Sequence, residues 1–299
     1  MAPELPALEG VRHSHHDLRT GVRVHVAETG PADAPPVLLL HGWPQHFLIW
    51  RGVWPALAGS YRVVMPDLRG HGWSGWPRDG DFRKARLVDD TVALMDALEV
   101  PAAHVAGHDW GAWTALLLAL EHPQRVRTML ALSVLHPWQA TGTALRNSWR
   151  FAYQLPLATP WLGEKLVRTE GVIRKVIRSG WRDKSTWDEG AARSYEDVMR
   201  EPVGARTSHL MYQSFLRHEI AAPARGQFAG RRLEMPSRLL IGQYDPLGAQ
   251  LCEGFEHHGT DAAWEIVDGA GHFLPEERPD VVAQRARELF RAVTAPGRA

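Results

Sequence analysis

The chain of 299 residues carries 34 basic and 34 acidic side chains, so its formal net charge at pH 7 is zero. Hydrophobic residues make up 44% of the chain, which is enough for a large buried core. The balanced charge argues against binding to nucleic acid or to an acidic membrane surface. Cys252 is the single cysteine, which excludes an intrachain disulfide.

The amino-terminal segment, residues 1–10, lacks the basic and apolar regions of a signal peptide. No apolar run in the sequence is long enough to span a bilayer. We therefore expect a soluble, cytoplasmic protein with no membrane partner, and the sequence leaves a homodimer open.

Short apolar runs alternate with helically spaced segments in the first half of the chain. Alternating residues predict an edge strand over residues 22–27. Continuous apolar runs, typical of strands buried on both faces, occupy residues 37–40, 62–65, 102–106 and 126–134. Helical spacing predicts helices over residues 87–98 and 112–120.

The pattern changes after residue 135, where helical segments rich in Trp, Arg and Tyr replace the alternation. It returns with predicted strands over residues 236–242 and 263–267 and a final helix over residues 279–293. Strands alternating with helices predict an α/β protein with a mostly parallel, doubly wound sheet. We expect one core domain interrupted by a helical cap, with the core in residues 1–135 and 226–299 and the cap in residues 136–225.

The segment Gly107–Gly111 reads Gly-His-Asp-Trp-Gly and lies between a predicted strand and a predicted helix. Glycines flank the central residue of a nucleophile elbow because the turn is strained and brings backbone close to backbone. Esterases and lipases have serine at the centre, whereas this chain has Asp109. A carboxylate is already ionised at neutral pH and can attack a saturated carbon that bears a leaving group. Epoxides and haloalkanes both suit such a nucleophile.

Two further residues complete a predicted triad in the order nucleophile, acid, histidine. Asp245 follows the predicted strand that ends at Gly242, and His272 follows the last strand. We expect His272 to activate water and Asp245 to orient it. The alternative is that both are ordinary loop residues. Some related enzymes take the acid from the loop after an earlier strand, but residues 133–138 contain no carboxylate.

An oxyanion hole requires two backbone N–H groups aimed at the carbonyl oxygen of the ester formed on Asp109. Trp110 supplies one N–H, and we expect Trp43 to supply the other from the turn that contains His41, Gly42 and Pro44. Pro44 would set the bend, with a cis peptide before it. The alternative is that this turn only terminates a strand.

These motifs, together with the segments 67–72 and 271–272, resemble those of the epoxide hydrolases of the α/β-hydrolase fold. The resemblance covers nearly the whole chain. It implies an epoxide as substrate, a vicinal diol as product, and neither cofactor nor metal, and the tryptophans in the predicted core and cap favour an apolar epoxide. Haloalkane dehalogenases are similar too, whereas fluoroacetate dehalogenases carry arginine where this chain has Trp110 and Trp113. We expect substrate contacts from His108, Trp113, Trp149 and Phe273.

Members of the family hold the epoxide oxygen with two cap tyrosines, whose hydroxyls donate hydrogen bonds. Tyr212 matches the second of them, but Trp149 occupies the usual position of the first. Tyr153 lies four residues after Trp149 and would share its face on a helix. Either Trp149 or Tyr153 is therefore expected to work with Tyr212.

The presence of Trp149 also keeps haloalkane dehalogenation open, since the indoles of Trp110 and Trp149 would cradle a halide. Trp43 argues against that alternative, because dehalogenases usually have Asn or Glu there, and Tyr212 would have no task. A third hypothesis is a non-catalytic binding protein, which would not need Asp109, Asp245 and His272 together. The histidines near residues 13–16 and at 257–258 lack metal-ligand spacing, so we expect them at the surface.

Overall fold

The computed structural model of the protein describes residues 3–138, 148–220 and 226–294. Its strands are β1 (Arg12–Asp17), β2 (Arg23–Thr29), β3 (Pro36–Leu40), β4 (Arg62–Pro66), β5 (Ala103–His108), β6 (Val126–Leu132), β7 (Ser237–Gly242) and β8 (Ala262–Val267). Within the described residues these strands form one sheet in the order β1-β2-β4-β3-β5-β6-β7-β8. Only the pairs β1·β2 and β2·β4 are antiparallel among them, and the remaining pairs are parallel.

The helices lie on both sides of this sheet and in the segment between β6 and β7. They are α1 (Lys84–Ala97), α2 (Trp110–Glu121), α3 (Gln154–Ala158), α4 (Leu162–Arg168), α5 (Val172–Gly180), α6 (Glu189–Arg200), α7 (Pro202–Ser214), α8 (Leu274–Glu277) and α9 (Pro279–Thr294). A π-helical turn, Phe215–Glu219, follows α7. Short 3₁₀ turns occupy Phe47–Trp50, Trp54–Ala56, Pro123–Arg125, Ser148–Phe151, Lys184–Thr186, Ala249–Leu251 and Phe255–His258.

One predicted strand has a different position from the one expected. The strand predicted as an edge, β2, lies inside the sheet because β1 pairs with it over six residues, from Arg12 opposite Glu28 to Asp17 opposite Arg23. The β1 segment is rich in histidine and mostly exposed, so it lacks the apolar alternation that predicts a strand. Backbone pairing to a neighbour, rather than side-chain burial, makes it a strand.

The core forms two layers because successive side chains of a strand point to opposite faces of the sheet. Leu38 and Leu40 pack with α1 and α2, whereas Leu39 packs toward α9. The second layer continues into the helices between β6 and β7, through Ile173 of α5 and Tyr212 of α7. The inserted helices therefore share a continuous apolar core with the sheet.

The α/β class and the mostly parallel sheet are confirmed. Helices α3 to α7 occupy the segment predicted as a cap, but the division into a core and a cap remains a prediction. Its boundary at residue 225 and the chain ends at residues 1 and 299 lie outside the described residues. In the part of the chain that is described, no helix is long and apolar enough to cross a membrane.

The strand register decides which loops meet. In the parallel part of the sheet, Leu40 lies opposite Gly107 and Leu132 opposite Leu240. The loops after β3, β5, β6 and β7 therefore emerge side by side at one edge of the sheet. Ligands of open α/β sheets bind beyond the carboxyl ends of strands.

Candidate active site

Asp109 occupies a strained turn between β5 and α2. Its φ of 52° and ψ of −117° lie in a region that residues with a side chain rarely adopt. The glycines on either side permit the turn: a Cβ atom on Gly107 would lie 2.4 Å from the carbonyl oxygen of Gly111, and one on Gly111 would lie 2.2 Å from that of Leu40. The turn projects the Asp109 carboxylate away from the sheet edge, as expected of a nucleophile elbow.

The carboxylate of Asp109 lies against the two N–H groups expected to form the oxyanion hole. The Trp43 N–H donates to Oδ1 of Asp109 at 2.9 Å. Burial by itself would raise the pKa of Asp109, but His272 and the N–H of Trp110 hold it below its usual value. A Cβ atom on Gly42 would lie 2.5 Å from Oδ1, so only glycine fits beside the carboxylate.

The turn that carries Trp43 is anchored on both sides. The peptide between Trp43 and Pro44 is cis, as expected from the sequence. His41 accepts the N–H of Leu68 at Nε2 and donates from Nδ1 to the carbonyl of Gly42. The indole N–H of Trp43 donates to Ser208 Oγ on α7 at 2.9 Å, which ties this turn to the inserted helices.

His272 lies between two carboxylates. Its Nδ1 is 3.1 Å from Oδ2 and 3.2 Å from Oδ1 of Asp245, and its Nε2 is 3.6 Å from Oδ2 of Asp109. Burial lowers the pKa of His272, but Asp245 and then Asp109 outweigh burial and raise the pKa to about 10. The side chains of Asp109 and His272 keep 18% and 15% of their surface exposed, whereas that of Asp245 is sealed. The two candidate reacting groups are therefore reachable, and the orienting acid is not.

Tyr212 of α7 is 1% exposed and packs edge-on against the rings of Trp43, Trp110 and Tyr153, with centroid distances of 5.2, 5.7 and 6.1 Å. Burial, followed by Tyr153 and the charge of Asp109, raises the pKa of Tyr212 well above its usual value. Local desolvation of the partly exposed Tyr153, followed by the same Asp109 charge, raises its pKa to about 12. Both phenols are therefore neutral donors near Asp109 at physiological pH.

The structure separates the two candidates for the first tyrosine position. Tyr153 is 45% exposed, but its ring packs against Tyr212, whereas Trp149 is 67% exposed and its ring centroid lies 4.8 Å from the Arg150 guanidinium. The expectation that both share a helix face is wrong, because a 3₁₀ turn ends at Phe151 and α3 begins only at Gln154. The expected substrate contact from Trp149 does not fit this exposed position.

The other residues predicted to contact substrate are His108, Phe273 and Trp113, and in the structure they pack against neighbouring parts of the protein. His108 is fully buried, donates from Nε2 to the carbonyl of His272 at 2.8 Å, and has its pKa lowered to about 4 by burial and by His272. His108 therefore supports the His272 loop from the protein interior, and the prediction that it contacts substrate is wrong. Phe273 stacks on Trp181 at 5.8 Å, and Trp113 is partly buried against Phe228 at 6.5 Å.

A buried lysine, which sequence reasoning missed, lies behind the elbow. The Nζ atom of Lys84 is 3.7 Å from the centroid of the Trp110 ring and has no hydrogen-bond partner among the described residues. Burial lowers its pKa to about 8, although Glu219 and Asp109 oppose the shift. Nothing in the local sequence sets this lysine apart from a surface one, because it opens a helix with charged neighbours.

Asp67 anchors a buried network away from the elbow. Its carboxylate accepts the N–H groups of Phe47 and Trp73 at 2.9 and 3.0 Å and lies 2.7 Å from Nδ1 of His25. Its pKa is held below its usual value by His25, against the effect of burial. His25 in turn contacts His13 at 2.9 Å, so His13 is a half-buried partner and not the free surface histidine expected. Among the described residues no group of His, Cys, Asp and Glu has the geometry to hold a metal.

Comparison with known proteins places the chain in a family. A family model described as "alpha/beta hydrolase fold" matches residues 35–279, so the chain belongs to the α/β-hydrolase family. Epoxide hydrolase A of Mycobacterium tuberculosis is 31% identical over 90% of this chain and 94% of its own length. The resemblance to epoxide hydrolases seen in the motifs is therefore confirmed.

Two further comparisons concern a dehalogenase and a solved structure. A haloalkane dehalogenase of Mesorhizobium japonicum is 29% identical over 85% of this chain and 83% of its own. The crystal structure of Cfl2 from Burkholderia cenocepacia superposes with a TM-score of 0.83 at 27% identity, covering 97% of this chain and 99% of that one. The chain is thus similar both to a protein named as an epoxide hydrolase and to one named as a haloalkane dehalogenase.

Proposed function

We propose that this chain is an epoxide hydrolase that converts an apolar epoxide to a vicinal diol through an ester on Asp109. The observation that carries the proposal is the pairing of Tyr212 with Tyr153 beside the Asp109 carboxylate. Epoxide opening develops charge on an oxygen that stays attached to the substrate, and a neutral phenol can donate to that oxygen.

In the first half-reaction, one oxygen of Asp109 attacks the less hindered carbon of the epoxide. The C–O bond to that carbon breaks, and its electron pair goes to the epoxide oxygen, which accepts a hydrogen bond or proton from Tyr212 with support from Tyr153. The aromatic rings of Trp43 and Trp110 around Tyr212 suit an apolar substrate. The product is an alkyl ester in which Asp109 is no longer charged.

The loss of charge on Asp109 prepares the second half-reaction. Two carboxylates hold the proton of His272 in the free protein, and esterification removes one of them. The pKa of His272 then falls, and the imidazolium gives up its proton, which replaces the one that Tyr212 donated to the epoxide oxygen. The neutral imidazole then accepts a proton from water as the water attacks the ester carbonyl carbon. The oxyanion that forms is stabilised by the N–H groups of Trp43 and Trp110 until the diol leaves and Asp109 is restored.

We further propose that helices α3 to α7 form the cap over this site, with Tyr153 and Tyr212 as its contribution. Haloalkane dehalogenation uses the same nucleophile and remains the alternative. The exposed position of Trp149 disfavours it, because a cradle of two indoles needs Trp149 near Trp110. A binding protein without turnover would not need a sealed Asp245 behind a reachable His272.

The test follows both the product and the enzyme. Wild-type protein is assayed for diol formation from styrene oxide and for halide release from a bromoalkane, and we expect diol without halide. In water enriched in oxygen-18, a single turnover should label the Asp109 carboxylate and leave the diol unlabelled. One diol oxygen is the original epoxide oxygen, and the other comes from Asp109. Label in the diol after one turnover would overturn the covalent mechanism, and halide without diol would favour the dehalogenase.

The variant His272→Gln separates the two half-reactions. We expect it to accumulate the ester and to gain the mass of one styrene oxide per chain, while Asp109→Asn gains none under the same conditions. Absence of the adduct in His272→Gln, with the protein folded, would contradict the proposal.

A further inference from the structure

The loop that carries His272 is pressed against the end of α5. The His272 N–H donates to the carbonyl oxygen of Gly180 at 2.8 Å. A Cβ atom on Gly271 would lie 2.2 Å from that same oxygen, so only glycine permits this approach. The proposed general base is therefore in backbone contact with the helical insertion.

One buried carboxylate joins the two sides of this contact. Glu277 of α8 is 1% exposed, and it accepts the N–H groups of Gly271 at 3.1 Å and Phe273 at 3.3 Å, the residues on either side of His272. Its Oε2 also accepts the N–H groups of Arg182 at 2.6 Å and Asp183 at 2.9 Å, just after α5. Four backbone donors from two segments thus converge on a single side chain.

The charge of Glu277 is compensated by backbone dipoles. Among the described residues no basic side chain lies within ion-pair distance of it, and its hydrogen bonds all come from main-chain N–H groups. Charge-assisted bonds of this kind are stronger than bonds between neutral groups. Because a neutral amide in this place would present N–H groups to N–H groups, the clamp requires a carboxylate.

We propose that Glu277 is a positioning residue for His272, which fixes the imidazole between Asp245 and Asp109 by clamping its loop to the Gly180–Asp183 segment of the cap. This proposal rests on the proposed function, since it assigns Glu277 to the half-reaction that needs His272. Attack by Asp109 on the epoxide requires Asp109 and the tyrosines. Loosening the clamp therefore slows hydrolysis of the ester and spares its formation.

The neighbouring glutamate provides a matched control. Glu276 is buried on the same turn of α8 and also bridges to the insertion, through a 2.9 Å bond from the hydroxyl of Tyr195. Its other side-chain partners are Gln45 and Arg51, and within the described part of the chain its carboxylate accepts no hydrogen bond from the His272 loop. Glu276→Gln removes a buried carboxylate between core and insertion without releasing the loop.

The experiment follows the ester by rapid quench and mass spectrometry with styrene oxide. We expect Glu277→Gln to form the ester within about threefold of the wild-type rate and to hydrolyse it about 10- to 100-fold more slowly, because small displacements of a catalytic group have large effects. Glu276→Gln should show wild-type rates for both steps. Hydrolysis at the wild-type rate in folded Glu277→Gln would overturn the proposal.

A second variant tests the same contact between the His272 loop and Gly180. If Glu277→Gln does not fold, Gly180→Ala disturbs the same contact, since its Cβ would lie 3.3 Å from Cβ of His272 and 3.0 Å from the Phe273 ring. The same selective loss of hydrolysis is expected, and its absence would overturn the clamp.

If no protein forms an ester, the covalent mechanism fails, and an NMR titration of His272 decides on the clamp alone. A lower His272 pKa in Glu277→Gln or Gly180→Ala, with no change in Glu276→Gln, supports the clamp. An unchanged titration contradicts it.

Discussion

The Nε2 atom of His272 lies 3.6 Å from Oδ2 of Asp109. This carboxylate and that of Asp245 together raise the pKa of His272 to about 10, although burial opposes the shift. We predict that Asp109→Asn lowers the His272 pKa by at least about one unit, since it removes one of two nearby anions. An NMR titration of the imidazole measures it, and Asp245→Asn should produce the larger drop because Asp245 contributes most.

The same shift has a consequence for stability. A histidine whose folded pKa is raised from about 6.5 stabilises the folded state fully below pH 6.5, and this contribution is lost as the pH rises through about 10. In Asp109→Asn the loss should still begin near pH 6.5, the unfolded-state pKa, but should be complete at a lower pH, because only the folded-state pKa of His272 falls. A titration midpoint that is equal in wild type and Asp109→Asn would contradict the electrostatic account.

The tyrosine pair can be tested by removing single hydroxyl groups. We predict that Tyr212→Phe lowers kcat/KM for styrene oxide about 100-fold, and Tyr153→Phe about 10-fold, because a positioned proton donor contributes on this scale. Trp149→Phe should stay within about twofold, since its side chain is exposed. Steady-state kinetics decide the matter, and a loss in Trp149→Phe as large as that in Tyr212→Phe would mean that Trp149 acts in the site.

Gly42 should tolerate no side chain. The added Cβ of Gly42→Ala would lie 2.5 Å from Oδ1 of Asp109 and would push the Trp43 N–H away from it. We predict a loss of turnover of about 100- to 1000-fold, the effect of losing one oxyanion donor. Gly59→Ala is the control, because nothing lies within 4 Å of its added Cβ. Wild-type turnover in Gly42→Ala would remove Trp43 from the oxyanion hole.

Lys84 offers a prediction for stability. Its pKa is lowered by burial to about 8, whereas an unfolded lysine titrates near 10.4, so the unfolded chain binds more protons between these values. The penalty is therefore full below pH 8 and is relieved as the pH rises toward 10. We predict that Lys84→Met is more stable than wild type at pH 7, by roughly 2–3 kcal/mol, and that the difference shrinks by pH 10.

Urea unfolding at the two pH values measures this difference. If Lys84→Met is instead less stable at both, the contact of the ammonium with the face of Trp110 outweighs its burial.

The local sequence was sufficient wherever neighbouring residues alone impose a structure. The elbow at Asp109 is an example, because Gly107 and Gly111 are required by contacts within the turn and with β3. The order of Asp109, Asp245 and His272 along the chain also placed all three at strand ends, and the register of parallel strands brings those ends together. The β1 strand was missed, because its pairing with β2 leaves no apolar pattern in the sequence.

The sequence by itself therefore determined the fold class, the family resemblance and the candidate triad, since these depend on local periodicity and on short motifs. The tertiary structure alone placed Tyr153 against Tyr212 and Trp149 at the surface, showed that His108 supports the His272 loop, and brought Glu277 and Lys84 close to the candidate site. These choices depend on which segments distant in sequence pack together and exclude water. Such packing sets the burial and charge around each side chain and leaves no mark on its immediate neighbours.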